Sequence, residues 1–376
     1  MWIHLGSGKL KHILSEIKSG VGFITLNRHE ALNALSLDMV LALSHLLNKW
    51  KADASVRAVA IRGSTKKGPF GHFCAGGDIR FFHAAATSGD TKLDEFFTAE
   101  YRLNHLIFTY PKPYIAFLDG VVMGGGMGIS QGASLRIVTE RTKMAMPETN
   151  IGFFPDVGGG FFLSRCPGNL GEYLGLTGQL LSGSDALYAG LADYVCESKK
   201  LDQFWETLGD SSIPVVDKRI AHLKSQAENQ SPSKSQPEWW DTRIDDVFAM
   251  ASIQEMTIRL KNMSEGWPAK VLSILKKRSP LMLQVTLSQL RRGRNMSLGD
   301  ELRMERDLVH NCFYTVHLGR SGFTSETVEG IRALVIDKDL KPRWNPRTIN
   351  EVKPEMVEPF FKSPWTKREH PLSDLV

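Results

Sequence analysis

Short apolar runs alternate with longer amphipathic ones through the first part of the chain. "GVGFITLN" (Gly20 to Asn27), "VRAVAIRG" (Val56 to Gly63), "PYIAFLDG" (Pro113 to Gly120) and "SLRIVTE" (Ser134 to Glu140) are rich in β-branched and aromatic residues, and turn-forming residues bound most of their ends. Each predicts a strand. Between the first two lies "SLDMVLALSHLLNKWKAD", where Met39, Leu43, Leu46 and Leu47 fall near helical spacing behind Ser36, a suitable N-cap. The resulting β-α-β order predicts an α/β fold with buried, mostly parallel strands.

The pattern changes over residues 209 to 240, which turn polar and rich in Ser, Gln, Pro and Lys. This stretch predicts a polar linker or loop. Trp239 and Trp240 stand at its end, where they would cover a pocket, anchor an interface or pack into a core. Beyond it the chain turns helical. In "SLGDELRMERDLVHNCF", Ser297 is a candidate cap and Leu298, Leu302, Leu308 and Val309 form a broken apolar stripe.

A chain of 376 residues can bury a sizeable core, and no apolar run approaches the roughly 18 to 20 residues of a membrane span. No membrane role is expected. The four cysteines, Cys74, Cys166, Cys196 and Cys312, lack CxxC or Cys/His ligand spacing, so reduced buried thiols are expected instead of disulfides or a metal site. The first residues show neither a signal-peptide nor a transit-peptide pattern, which makes the cytoplasm the expected location, or the mitochondrial matrix in a eukaryote. Of the net charge of +5, residues 268 to 376 supply +6, from 19 Lys/Arg and 13 Asp/Glu. That balance fits an anionic ligand or a solvated helical surface.

Two glycine clusters then change the picture: "FCAGGDIR" (Phe73 to Arg80) and "GVVMGGGMGIS" (Gly120 to Ser130), each following a predicted strand. Glycine lets a backbone N–H stand free of Cβ, so two such turns can together hold one oxyanion. Singly, each is as well explained by a tight turn, and neither is a GxGxxG or P-loop pattern. Asp78 is expected to cap or orient its turn, and His72 and His105 to be structural.

With the later "MPETNIGFFPD", these motifs resemble the crotonase superfamily, whose members bind acyl-CoA thioesters. The resemblance implies a ββα spiral core over residues 1–208 with an acyl-CoA site, followed by a helical region over 241–376 that covers the site or makes oligomer contacts. It also implies that Gly77 and Gly125 supply the oxyanion-hole N–H groups. Enoyl-CoA hydratases of that superfamily carry a glutamate two residues after the GGG; here the position is Gly128. "AMPETNIGFFPDVGGGFFLSR", "SPLMLQVTLSQL" and "EGIRALVIDKDLKPRWNP" resemble the 3-hydroxyisobutyryl-CoA hydrolase branch, from about residue 12 to residue 350. That branch implies a pocket lined by Glu100, Gly125, Glu148 and Asp156. It further implies hydrolysis of 3-hydroxyisobutyryl-CoA in valine degradation, no metal or redox cofactor, and often a homo-oligomer.

The two acids after proline also have a physical reading. Pro155 suits a first helical position, which would set Asp156 in a first turn where the helix dipole favours its ionised form, as a base towards water or a nucleophile. Glu148, beside Ile151 to Phe154, is expected in a less polar setting that raises its pKa and lets it manage protons. Plain helix starts explain an isolated Pro-Asp or Pro-Glu equally well. Glu100 could be no more than a solvated helix charge. Two other functions fit parts of the pattern: an enoyl-CoA hydratase or isomerase using Glu148 alone, and a non-catalytic crotonase-fold binding protein, either a subunit or an RNA binder.

Overall fold

The computed structural model describes residues 11–229, 231, 237, 240, 242–263, 266–320 and 324–376. The chain forms two compact units, each built from three separate stretches. The first comprises Met1–Gly77, Leu103–Ala145 and Leu180–Glu238; the second comprises Asp78–Arg102, Met146–Gln179 and Trp239–Val376. The expected succession of core, linker and helical region thus differs from what is observed, an interleaved division.

Among the described residues the first unit carries eight strands: β1 (Ile13–Lys18), β2 (Val21–Leu26), β3 (Ala58–Gly63), β4 (Tyr114–Leu118), β5 (Val121–Met123), β6 (Leu135–Thr139), β7 (Lys143–Ala145) and β8 (Tyr194–Cys196). Six form one sheet in the order β1-β2-β3-β4-β6-β8, and β5 pairs with β7 in a second. Only β1–β2 is antiparallel; β2–β3, β3–β4, β4–β6, β6–β8 and β5–β7 are parallel. The parallel strands need cover on both faces, and every residue of β4 is buried. The four predicted strands are β2, β3, β4 and β6. Helix Leu37–Ala52 joins β2 to β3, with Ser36 Oγ accepting from Met39 N as expected of its cap.

Residues 209 to 240 depart from expectation. Residues Val216–Glu228 form a helix whose Val216, Ile220, Leu223 and Ala227 join Phe23, Ile115, Phe117 and Trp205 in one core cluster. Val216, Ile220 and Leu223 each contribute about 1.5–3 kcal/mol by leaving water. A narrow i, i+4, i+7, i+11 stripe was enough to dock an otherwise polar segment. Arg219 is buried there and donates to the carbonyls of Leu208 and Ser19 (2.5 Å each). Trp239 lies outside the described residues; Trp240 is half-buried.

The second unit holds no strand among the described residues. Ser279 and Ser297 each cap a helix, Pro280–Gly293 and Leu298–Phe313, the second as its sequence predicted. The "EGIRALVIDKDL" segment and the residues just before it pack on the acid-bearing loop: Gly330 abuts Ile151, and the preceding Thr327 donates through Oγ1 to Gly152 O at 2.8 Å. All four cysteines are buried free thiols. Among the described residues no helix is long and apolar enough to cross a membrane.

Candidate active site

In the first unit the two glycine turns lie side by side. Cys74 N donates to Val121 O (3.0 Å) and Met123 N to Cys74 O (3.0 Å), so the chain entering the first turn runs parallel to β5, which leads into the second. Gly76 adopts φ +102°, and a Cβ there would stand 3.3 Å from Met123 O and 3.7 Å from Gly125 N. At Gly126 a Cβ would come within 2.5 Å of Cys74 O, a contact no side chain tolerates. The close approach therefore requires glycine on both turns. Neither Gly77 N nor Gly125 N donates to an acceptor among the described residues. Two backbone donors in adjoining turns are thus left for a ligand oxygen. Gly128 closes the short helix Gly125–Gly128 and offers no carboxylate. Flanking residues do structural work, as expected: His72 Nδ1 accepts from Val121 N at 3.3 Å, and Asp78 caps helix Ile79–Ser88 through Phe81 N.

The second unit gathers the acids. Glu100, 2% exposed, sits on helix Lys92–Phe108, so it is not a solvated charge. Glu148 opens the 3-10 turn Glu148–Ile151. Both are buried, and Glu100 Oε1 and Glu148 Oε2 have no hydrogen-bond partner among the described residues. Burial pushes the Glu148 carboxyl well up, with Asp156 adding to the shift, which meets the sequence expectation. Burial, then Asp156 and Glu148, does the same to Glu100.

Asp156 departs from its expectation. The helix expected to start at Pro155 begins at Gly159, so Asp156 lies on the preceding loop, outside any first turn. Burial, then the neighbouring Glu305, raises its pKa to about 8; the predicted ionised state gives way to a group that titrates near neutrality. Tyr101 OH donates to Asp156 Oδ2 at 2.9 Å and steadies the charged form.

Four neighbours of these acids escaped the sequence reading: Tyr101, Gln289, Glu301 and Glu305. Glu305 accepts from Gly158 N at 2.8 Å and Gly160 N at 3.1 Å, the backbone just after Asp156. Glu301 and Glu305 are fully buried although charged residues. The available signal was spacing: Glu301, Glu305, Leu308 and Cys312 fall at i, i+4, i+7 and i+11, which puts two carboxyls on an apolar stripe. Buried acids with pKa values pushed towards neutrality can accept and return protons in the working pH range.

Residues 21–361 match the family model "Enoyl-CoA hydratase/isomerase". Among curated relatives, the mitochondrial 3-hydroxyisobutyryl-CoA hydrolase of Gallus gallus is 39% identical over 354 residues, 93% of this chain and 88% of that protein. 3-hydroxyisobutyryl-CoA hydrolase 1 of Arabidopsis thaliana is 37% identical over 357 residues, 93% of this chain and 91% of that one. Among solved structures, a carnitinyl-CoA dehydratase from Mycobacterium thermoresistibile superposes with a TM-score of 0.79 at 35% identity, over 94% of this chain and 96% of its own. An enoyl-CoA hydratase from Rhodobacter sphaeroides gives 0.78 at 33%, over 94% and 98%. The glycine turns, the crotonase fold and these matches agree: the chain belongs to the enoyl-CoA hydratase/isomerase family.

Proposed function

We propose that this chain hydrolyses 3-hydroxyisobutyryl-CoA, or a closely related short 3-hydroxyacyl-CoA, to the free acid and CoA, a step of valine degradation. The observation that carries the reading is the buried acid cluster around Asp156, in a chain that has Gly128 at the position where a hydratase needs a carboxylate. The names of the curated relatives favour the same reaction.

Gly77 and Gly125 donate to the thioester oxygen as negative charge builds there; one such donor is worth about 3 to 4 kcal/mol of barrier. Asp156, ionised and held by Tyr101, either draws a proton from water or attacks the carbonyl carbon to give a mixed anhydride that water then opens. Glu148, protonated by its burial, gives its proton to the departing thiolate and recovers one from water. Glu100 lines the acyl pocket. The sum is thioester plus water giving acid plus thiol, with no change of oxidation state, so the reaction calls for no redox cofactor, and we assign the activation to the N–H donors and acids without a metal; CoA enters as part of the substrate. The setting we assign is the cytoplasm, or the mitochondrial matrix in a eukaryote, and the protein acts as a homo-oligomer on small-molecule thioesters, with no nucleic-acid or membrane partner.

Thiol release from 3-hydroxyisobutyryl-CoA tests this reading, run beside loss of crotonyl-CoA absorbance. The second reading, hydration of an enoyl-CoA by Glu148 alone, is favoured by the names of the two solved relatives. Hydration without thiol release would establish it and remove the first.

A further inference from the structure

Behind the Asp156 loop stand two carboxyls that the proposed reaction does not use. Glu301 and Glu305 lie one turn apart on helix Leu298–Phe313, both fully buried. Glu305 Oε2 accepts from Gly158 N (2.8 Å), and its Oε1 accepts from Gly160 N (3.1 Å) and Gln289 Nε2 (2.9 Å). The same Gln289 amide donates to Pro155 O at 2.6 Å. Residues 155 to 160 are therefore gripped on both sides of Asp156.

The grip answers a backbone need. Val157 is held at φ +58°, a left-handed conformation that strains a β-branched residue. It persists because Glu305 and Gln289 fix the backbone around it. Glu301 sits against Gly160, close enough to Glu305 for a carboxyl–carboxylate hydrogen bond. Two carboxyls so placed, out of water, do not both ionise. Three N–H donors converge on Glu305 at 2.8 to 3.1 Å, while Glu301 takes only a weaker contact from the same Gln289 amide. The charge of the pair therefore belongs on Glu305, with the proton on Glu301.

We propose that Glu305 is the positioning residue of the Asp156 loop, and that with Glu301 it forms a one-proton pair whose single negative charge faces Asp156. The inference rests on the reading of Asp156 as the acid of thioester hydrolysis. The groups facing Asp156 are Tyr101 and Glu100 from helix Lys92–Phe108, Glu148 from its 3-10 turn, and Glu305, Glu301 and Cys312 from helix Leu298–Phe313. Among the described residues, Arg165 is the cation that acts on this group, through Glu301. Repulsion from Glu305 delays ionisation of Asp156, so it moves the acid limb of the rate profile to higher pH.

The test is the pH dependence of kcat and KM for thiol release by the full-length wild type, E305Q, E301Q and D156N, with Tm as the check on folding. In E305Q an amide replaces the charge and turns a donor towards one of the glycine N–H groups. We expect kcat to fall at least about ten-fold with KM little changed, and the acid limb to move down by about one pH unit. E301Q, whose amide can donate to Glu305 as the carboxyl does, keeps the limb where wild type has it. A wild-type limb and kcat in E305Q, or a larger limb shift in E301Q than in E305Q, would overturn the inference while the loss in D156N upheld the reading of Asp156. Full activity in D156N would remove that reading, and this inference with it. If E305Q does not fold, Gln289→Met carries the test. It removes a donor from Glu305 and the tie to Pro155 O; a lower kcat and a limb moved the same way support the inference, and an unchanged profile overturns it.

Discussion

The hydroxyl of Tyr101 donates to Oδ2 of Asp156 across 2.9 Å, both groups buried. The two are separated by 55 positions in the chain. The bond stabilises the ionised carboxylate against burial and Glu305, which push its pKa up to about 8. Tyr101 is thus the group that keeps Asp156 within reach of ionisation near neutral pH.

Tyr101→Phe removes that donor and little volume. Asp156 then holds its proton more tightly, so the acid limb of kcat for thiol release moves up by about one pH unit, a hydrogen bond to a charged group being worth about 1.5–3 kcal/mol. A Tyr101→Phe profile that coincides with wild type would remove Tyr101 from the account.

Stability should fall as pH rises. Glu100, Glu148 and Asp156 all bind their protons more tightly in the folded chain than in the unfolded one. Unfolded carboxyls ionise near pH 4, so the folded chain carries extra protons from there up to about pH 8 and loses stability across that window. Asp156→Asn removes one such penalty. Its Tm should exceed that of wild type at about pH 8.5, with the gap closing towards about pH 5; a gap that widens on acidification would contradict this.

Gly126→Ala places a methyl group 2.5 Å from Cys74 O, a backbone atom that can yield only by separating the two turns. The expected loss in kcat is about 100-fold, the effect of spoiling one oxyanion donor, with a smaller rise in KM. Kinetics on the folded variant check it, and a kcat within a few-fold of wild type would show that the turns are not the oxyanion site.

The helix Val216–Glu228 owes its place to its apolar stripe. Leu223, fully buried in the first unit's core, should cost about 2–5 kcal/mol when changed to Ala, read from denaturant unfolding. A cost below about 0.5 kcal/mol would return this segment to the status of a linker.

What the sequence revealed was local. β2, β3, β4 and β6 stood out because their apolar runs lie between turn residues, and Ser36 and Ser297 marked helix starts. β5, β7 and β8 are three residues each, too short for a period to show. The stripe of helix Val216–Glu228 was hidden by a polar average over its neighbours. Of the proposed functional residues, Gly77, Gly125, Glu148 and Asp156 drew notice through local motifs, whereas Glu305 acts on Gly158 and Gly160 from 147 and 145 residues away. No local pattern encodes such a pairing. The helix-dipole argument for Asp156 failed because the helix begins only at Gly159, and because burial, which depends on the whole fold, raises the carboxyl's pKa.

The most direct test of the proposed function is thiol release from 3-hydroxyisobutyryl-CoA by wild type, Glu148→Ala and Asp156→Ala, with crotonyl-CoA hydration followed in parallel. The account predicts rapid thiol release by wild type, a loss of at least about 100-fold in each variant, and no comparable hydration. Hydration of crotonyl-CoA without thiol release, or full hydrolysis by Asp156→Ala, would contradict it.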